Sequence, residues 1–221
     1  MYIIDPKIEV EDINGIEIMK KIEKACRTCY RSEDKITDTS YKTLLKNCIT
    51  RGHESVLEHE KITVRMTCDI GVYKDLTRHR IASFSIESTR YCNYSKDKFN
   101  KEIKMIKPCN MEEGSKVYEI WKEACEQIEK KYIEMSDLGA APDELRMILP
   151  HSTAAEVTMT ANIREWKHIL LLRTSSHTHP AVRQVLIPLL LYFKSIMPEI
   201  FDDVPYDTNF PEEKYAKLGK M

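Results

Sequence analysis

The segments Arg78-His79-Arg80-Ile81-Ala82-Ser83 and Ser88-Thr89-Arg90-Tyr91 set three arginines and a histidine among hydroxyl-bearing side chains. Like charges held this close repel one another unless an anion sits among them, and arginine's planar fork matches phosphate or carboxylate. A solvated basic turn is the plain alternative. Other positions bear on the choice. Arg51-Gly52-His53-Glu54-Ser55, followed by Glu58-His59, sits at a helix-to-strand join, where loops commonly carry functional side chains. Asn162-Ile163-Arg164 follows a second strand, and Arg146 ends a short helical stretch. Arg173 closes Ile169-Leu170-Leu171-Leu172, beside apolar surface where an arginine is rarely left unpaired. Its partner is either a carboxylate at the core edge or a ligand's anion or acidic imide.

The sequence also argues against several chemistries. His177-Thr178-His179, with His168 and His151, lacks the helical i,i+4 pair or paired cysteines of zinc sites, so no metal is expected. Cys26 and Cys29 share a C-x-x-C spacing without a second pair, and read as small core side chains. There is no G-x-G-x-x-G, phosphate-loop or G-x-S-x-G pattern to suggest the common dinucleotide, triphosphate or hydrolase folds.

Composition narrows the class further. At 221 residues, the chain can bury a substantial core within one or two domains. Its formal net charge of -1, with 31% charged residues, carries no global basic excess. The arginine cluster is therefore a local device, and no nucleic-acid partner is expected. Seven cysteines, an odd number in a chain this long, suit a reducing cytoplasm. The start, Met1-Tyr2-Ile3-Ile4-Asp5-Pro6, does not read as a signal peptide. The longest apolar run, Val185 to Phe193, is too short to span a bilayer, so neither a membrane nor export is expected.

The elements that must position these residues follow from periodicity. Asn14 caps a helix with Ile18, Ile22, Ala25, Cys26 and Cys29 on its stripe, and a second helix runs from Thr39 to Thr50, with Gly52 beyond it. Ile62, Val64, Met66 and Cys68 alternate as a half-buried strand, and Asp69 then caps a short helix whose C-terminal end delivers Arg78, His79 and Arg80. The stretch onward through Pro108 reads as irregular. Ser115 to Met135 is the clearest helix, with Val117, Ile120, Trp121, Ala124, Ile128 and Tyr132 as its inner face. Pro142 starts another helix, Ala155 to Ala161 alternate as a second strand, and Arg164–Arg173 and Ala181–Met197 are helical, the latter kinked at Pro188. The tail from Asp202 reads as irregular or weakly helical. The expected class is α+β: a single domain over residues 1–221, with a small mixed or antiparallel sheet flanked by several helices, one of them long.

Arg78-His79-Arg80 with Ser83, Ser88, Arg90 and Tyr91 closely resembles the signature of the flavin-dependent thymidylate synthases. Gly52-His53-Glu54 with Glu58-His59 resembles the family's upstream element, and Arg146-Met147-Ile148-Leu149-Pro150 its central one. Asn162-Ile163-Arg164 with His168, Leu172-Arg173 and His177 resembles the C-terminal element. The blocks are in order and span roughly residues 50 to 185, and agreement among several blocks makes chance a poor explanation.

The resemblance implies reductive methylation of deoxyuridine monophosphate (dUMP) to dTMP. Methylenetetrahydrofolate supplies the carbon, and NADPH supplies reducing equivalents through FAD. It places His53, Ser55, Arg78, His79, Arg80, Ile81, Asn162, Arg164 and His168 on flavin-contacting positions. Ser88, Arg90 and Arg146 fall where dUMP is held, chiefly by its phosphate, and Arg78, Asp75 and Glu87 fall beside the nucleotide. Arg173 takes the catalytic position, contacting the pyrimidine and favouring ionisation at its ring nitrogen, a role suited to a fixed guanidinium facing a developing anion. It also implies a homotetramer whose sites are shared between subunits.

Two positions depart from the family pattern. Ser85-Ile86-Glu87 sets its carboxylate one place later than usual, which turns that side chain sharply. Asp75 stands where glutamine is common, and would repel a phosphate unless an arginine neutralised it. A non-catalytic protein that binds nucleotide or nucleic-acid phosphate through the same arginines, and a metal-dependent hydrolase using His177 and His179, stand as rival readings at this point.

Overall fold

In chain order the elements are β1 (Tyr2–Ile4), β2 (Lys7–Val10), α1 (Gly15–Thr28), α2 (Ser40–Thr50), β3 (Lys61–Asp69), α3 (Ile70–Leu76), β4 (Ala82–Ile86) and β5 (Lys104–Ile106). They continue with α4 (Lys116–Asp137), α5 (Pro142–Leu145), β6 (Ala154–Asn162), α6 (Ile163–Arg173), α7 (Pro180–Ile196), α8 (Pro198–Phe201) and β7 (Lys217–Lys220). The structure, a computed structural model, describes residues 1–96 and 99–221. Five strands form a mixed sheet in the order β4-β6-β3-β2-β7, and β1 pairs with β5 in a separate parallel ribbon.

Alternation makes the centre of this sheet. In β3, Ile62, Val64, Met66 and Cys68 all turn inward, and in β6, Ala155, Val157, Met159 and Ala161 do the same. The two strands run antiparallel in full register from Lys61 opposite Asn162 to Asp69 opposite Ala154. Each larger aliphatic or Met side chain buried this way contributes about 1.5–3 kcal/mol. On the other face the register pairs Thr63 with Thr160, whose hydroxyls bond at 2.9 Å.

Helices cover the apolar face. Asn14 Oδ1 accepts the amides of Ile16 and Glu17 to start α1, and Ile18, Ile22 and Cys26 are buried. Gly15 is required by packing, because a Cβ there would stand 2.2 Å from the Ile196 carbonyl oxygen. In α7, Val185, Leu186, Ile187, Leu189, Leu190 and Phe193 are all buried around Pro188. Trp166 of α6 is buried too and donates to the Ile62 carbonyl at 3.0 Å. No helix among the described residues is long and apolar enough to cross a membrane.

Four expectations are corrected. Residues read as irregular between Ala82 and Pro108 contain β4, antiparallel to β6, and β5, parallel to β1. The tail read as irregular ends in β7, parallel to β2 from Lys217 opposite Lys7 to Lys220 opposite Val10. Cys29 lies past the end of α1 and is exposed, unlike Cys26. In α4 the buried positions are Tyr118, Cys125 and Tyr132, while Val117, Ile120 and Ala124 face outward. The reason is that α4 packs on a small second core of Tyr94, Ile103, Met105 and Leu145, and this partner selects the stripe that faces it.

Candidate active site

Asp69 Oδ1 accepts the Val72 amide at 2.7 Å, so α3 starts at the end of β3 and stops at Leu76. The His79 amide then donates to the Leu76 carbonyl at 3.0 Å. This turn leaves Arg78 and Arg80 in solvent and sends the His79 ring inward, where the residue is only 6% exposed. Opposite it runs α6, started by Asn162 Oδ1 accepting the Glu165 amide at 2.8 Å. Its last residue, Arg173, closes the site. Arg173 Nε donates to His79 Nε2 at 3.0 Å, and Nη2 donates to the Asp75 carbonyl at 3.0 Å.

Asp75 Oδ1 lies 3.9 Å from Arg173 Nη1 and 3.8 Å from Arg78 Nε. Two guanidinium groups thus stand within ion-pair range of this carboxylate. Across the imidazole, Glu165 Oε1 is 3.5 Å from His79 Nδ1, and the His168 ring stands edge-on at 5.9 Å. Burial, then the Arg173 guanidinium and the neighbouring His168, pull the His79 pKa down to about 4, with Asp75 acting the other way. The imidazole is thus neutral at neutral pH and free to accept a hydrogen bond.

Beyond His79 the chain lines a cleft of about 710 Å³ with Arg80, Ile81, Ser83, Thr160, Asn162 and His59 among its walls. Ile81 is 68% exposed, and Arg80 has no carboxylate partner among the described residues. An unpaired guanidinium, hydroxyls, an amide and an exposed aliphatic side chain, with the lining carboxylates Glu58 and Glu60 paired to Arg164 and Lys21, fit a flat ring carrying a diphosphate. His53 and Ser55 are exposed at the turn leading towards β3, and the His53 amide donates to the Cys48 carbonyl at 2.8 Å. Arg164 is already occupied within the chain, donating to Glu58 Oε1 at 2.6 Å.

Glu87, Ser88 and Arg90 lie past the other end of β4. Five strand residues separate the two groups, roughly 17 Å of rise. Glu87 is held in place: Tyr94 Oη donates to its Oε1 at 3.0 Å and the Glu156 amide to its Oε2 at 3.3 Å. Ser88 Oγ accepts the Arg90 amide at 3.3 Å, and the exposed Arg90 guanidinium lies 5.8 Å from the Tyr91 ring. Arg146 is exposed beside Tyr73, whose phenol it stabilises in the charged form against the larger effect of burial. Among the described residues, no hydrogen bond or ion pair joins Ser88, Arg90 or Arg146 to Arg173.

Two members of these networks escaped sequence reasoning. Glu165 occupies a helix's first turn, where a carboxylate is expected for the dipole alone, and Tyr94 sits outside any periodic pattern. His179 does structural work, its Nδ1 accepting the Ala181 amide at 3.2 Å at the start of α7. No group of three or more metal-ligating side chains able to hold an ion occurs among the described residues.

Residues 16–199 match the family described as thymidylate synthase complementing protein. The chain belongs to this family. The flavin-dependent thymidylate synthase of Pyrococcus abyssi is 32% identical over 155 residues, covering 70% of this chain and 63% of that enzyme. The chain thus spans under two thirds of that relative's length. The enzyme of the same name from Pyrococcus furiosus is 30% identical over 189 residues, covering 85% and 72%. Thymidylate synthase X from Helicobacter pylori, solved with FAD and dUMP, superposes with a TM-score of 0.72 at 20% identity, over 90% of this chain and 98% of that one. It shares the fold.

Proposed function

We propose that the chain catalyses the reductive methylation of dUMP to dTMP, with methylenetetrahydrofolate as carbon donor and NADPH as reductant. The observation that carries this reading is the family match over residues 16–199, within which the arginine–histidine segment is tied directly to Arg173. FAD, when bound, supplies the redox chemistry. The residues proposed to hold it are His53, Ser55, Arg78, His79, Arg80, Ile81, Asn162 and His168, with Arg164 acting only if it exchanges Glu58 for the ligand.

For the nucleotide, Arg78, Ser88, Arg90 and Arg146 hold the phosphate by charge-assisted hydrogen bonds. Asp75 remains beside them at low cost because Arg78 and Arg173 share its charge. Glu87 is preset by Tyr94 to accept from the nucleotide. Arg173 faces the pyrimidine and stabilises negative charge developing on its ring. Its bond to His79 fixes the guanidinium plane, which a flexible cation would have to freeze at each turnover.

The five-residue rise of β4 sets the Arg78 turn and the Ser88–Arg90 turn at opposite ends of the strand, and a homotetramer with sites shared between subunits is a way to bring both groups onto one nucleotide. The outward apolar residues Val117 and Ile120 of α4, 62% and 58% exposed, offer a surface for such contacts. Residues 1–221 are taken as one domain working in the cytoplasm.

The deciding experiment titrates the purified protein with FAD and then assays dTMP formation. Saturable binding with a shift of the flavin bands, followed by dTMP formation requiring all three substrates, is expected. Absence of flavin binding overturns the proposal.

A further inference from the structure

We infer that Glu165 is a positioning residue for this reaction: its carboxylate fixes the tautomer of His79, and His79 in turn fixes the guanidinium of Arg173. The inference rests on the proposed role of Arg173, but its structural core does not.

The logic begins with a proton. Arg173 Nε is a donor only, so its 3.0 Å bond to His79 Nε2 requires a lone pair on that nitrogen. A neutral imidazole carries one proton, which must then be on Nδ1. Nδ1 faces Glu165 Oε1 at 3.5 Å. The opposite tautomer would set an N–H against the arginine's N–H and a lone pair against the carboxylate, and is disfavoured at both ends. A cationic ring would likewise lose the Arg173 bond.

Burial of Glu165 carries the second half. A glutamate in the first turn of a helix can serve the dipole from solvent, yet the Glu165 side chain is only 11% exposed. Burial raises its pKa, partly offset by His168, so the protein bears a desolvation cost to keep a carboxylate there. Among the described residues, no hydrogen bond to its carboxylate and no Lys or Arg ion pair offsets that cost. Among the described residues, the imidazole Nδ1 of His79 is its one ion-pair-range contact. The charged and titratable groups around the ring are Arg173 and His168 from α6, Asp75 from α3 and Glu165 itself. Of these, Glu165 is the group within ion-pair range of Nδ1, at 3.5 Å, while Arg173 bonds Nε2. A carboxylate behind a histidine that orients a working group is a recurrent device for selecting one tautomer.

The first test needs no variant. Imidazole ¹⁵N spectra of the wild-type protein, with His79 assigned by comparison with His79→Gln, are expected to show a neutral ring protonated on Nδ1 at pH near 7. An Nε2-protonated or cationic ring overturns the inference. The second test uses turnover. Glu165→Ala should lower the single-turnover rate of dTMP formation, measured with FAD saturating, by roughly tenfold to a hundredfold, the scale of a misplaced reacting group.

On an Arg173→Ala background the same change should cost nothing further, whereas a merely structural role gives additive losses. Glu165→Gln, which keeps an acceptor oxygen, should recover most of the rate and serves where the alanine variant does not fold. Additive losses, or a Glu165→Gln protein as slow as Glu165→Ala, overturn the relay. If the wild-type protein makes no dTMP, the proposed function fails while the spectra still decide the tautomer.

Discussion

Arg173 donates to His79 across 3.0 Å, a bond between a cation and an imidazole that lasts only while the imidazole is neutral. The folded His79 pKa of about 4 lies below the ordinary 6.5. Between these values the unfolded chain binds more protons than the folded one, so stability rises with pH across the window and is lost as pH falls through it. The full effect is on the order of 3 kcal/mol. Thermal unfolding of wild type should therefore steepen between about pH 6.5 and pH 4, and His79→Gln should remove that part of the slope. Parallel profiles for the two proteins would contradict the assignment.

Tyr94 is nearly buried, and its hydroxyl donates to Glu87 at 3.0 Å. Tyr94→Phe leaves the ring's packing on Phe99 and Tyr132 but removes a bond to a charged group. The loss should be about 1–2 kcal/mol, because Glu87 is half-buried and water can partly replace the phenol. Urea unfolding should show a lower midpoint with an unchanged slope. An unchanged midpoint would mean that the bond contributes nothing.

Legibility followed the range of the physics. β3 and β6 could be read because long apolar–polar alternation, from Ile62 to Cys68 and from Ala155 to Ala161, needs no partner to declare it, and α1 because Asn14 marks its start. β7 could not: Lys-Leu-Gly-Lys has no apolar alternation, and only pairing with β2, more than 200 residues away, makes it a strand. α4 showed its helical period but not its inner face, which is chosen by a core assembled from four other segments. At the site, Arg78, His79 and Arg173 were legible as residue types, because clustered guanidinium groups demand an anion. The bond joining His79 to Arg173 spans 94 positions and left no local trace.

Arg173 is held by His79 and by the Asp75 carbonyl, a rigidity that suits a group stabilising charge on the pyrimidine. Arg173→Ala should slow methylation by about 10²-fold or more, the scale of losing one preorganised donor. Flavin binding should survive largely unchanged. Parallel FAD titration and single-turnover assays separate the two effects, and unaltered turnover would remove Arg173 from the mechanism.

The last prediction concerns a cysteine that could compete for the chemistry. Cys92 is half-buried, two residues beyond Arg90, and lines the same cleft as Glu87. Attack on the pyrimidine by a thiolate requires a lowered pKa, which a nearby guanidinium can supply in principle. The Arg90 guanidinium, however, is exposed and lies at the Tyr91 ring. The proposed reaction needs no enzyme nucleophile, which leaves Cys92 a packed side chain. Cys92→Ala should then keep most activity, losing less than roughly tenfold, about 1.4 kcal/mol of barrier. The assay is single-turnover dTMP formation with FAD and dUMP affinities measured alongside. A loss of about 10³-fold with both affinities intact would instead place a cysteine nucleophile at the centre of the mechanism.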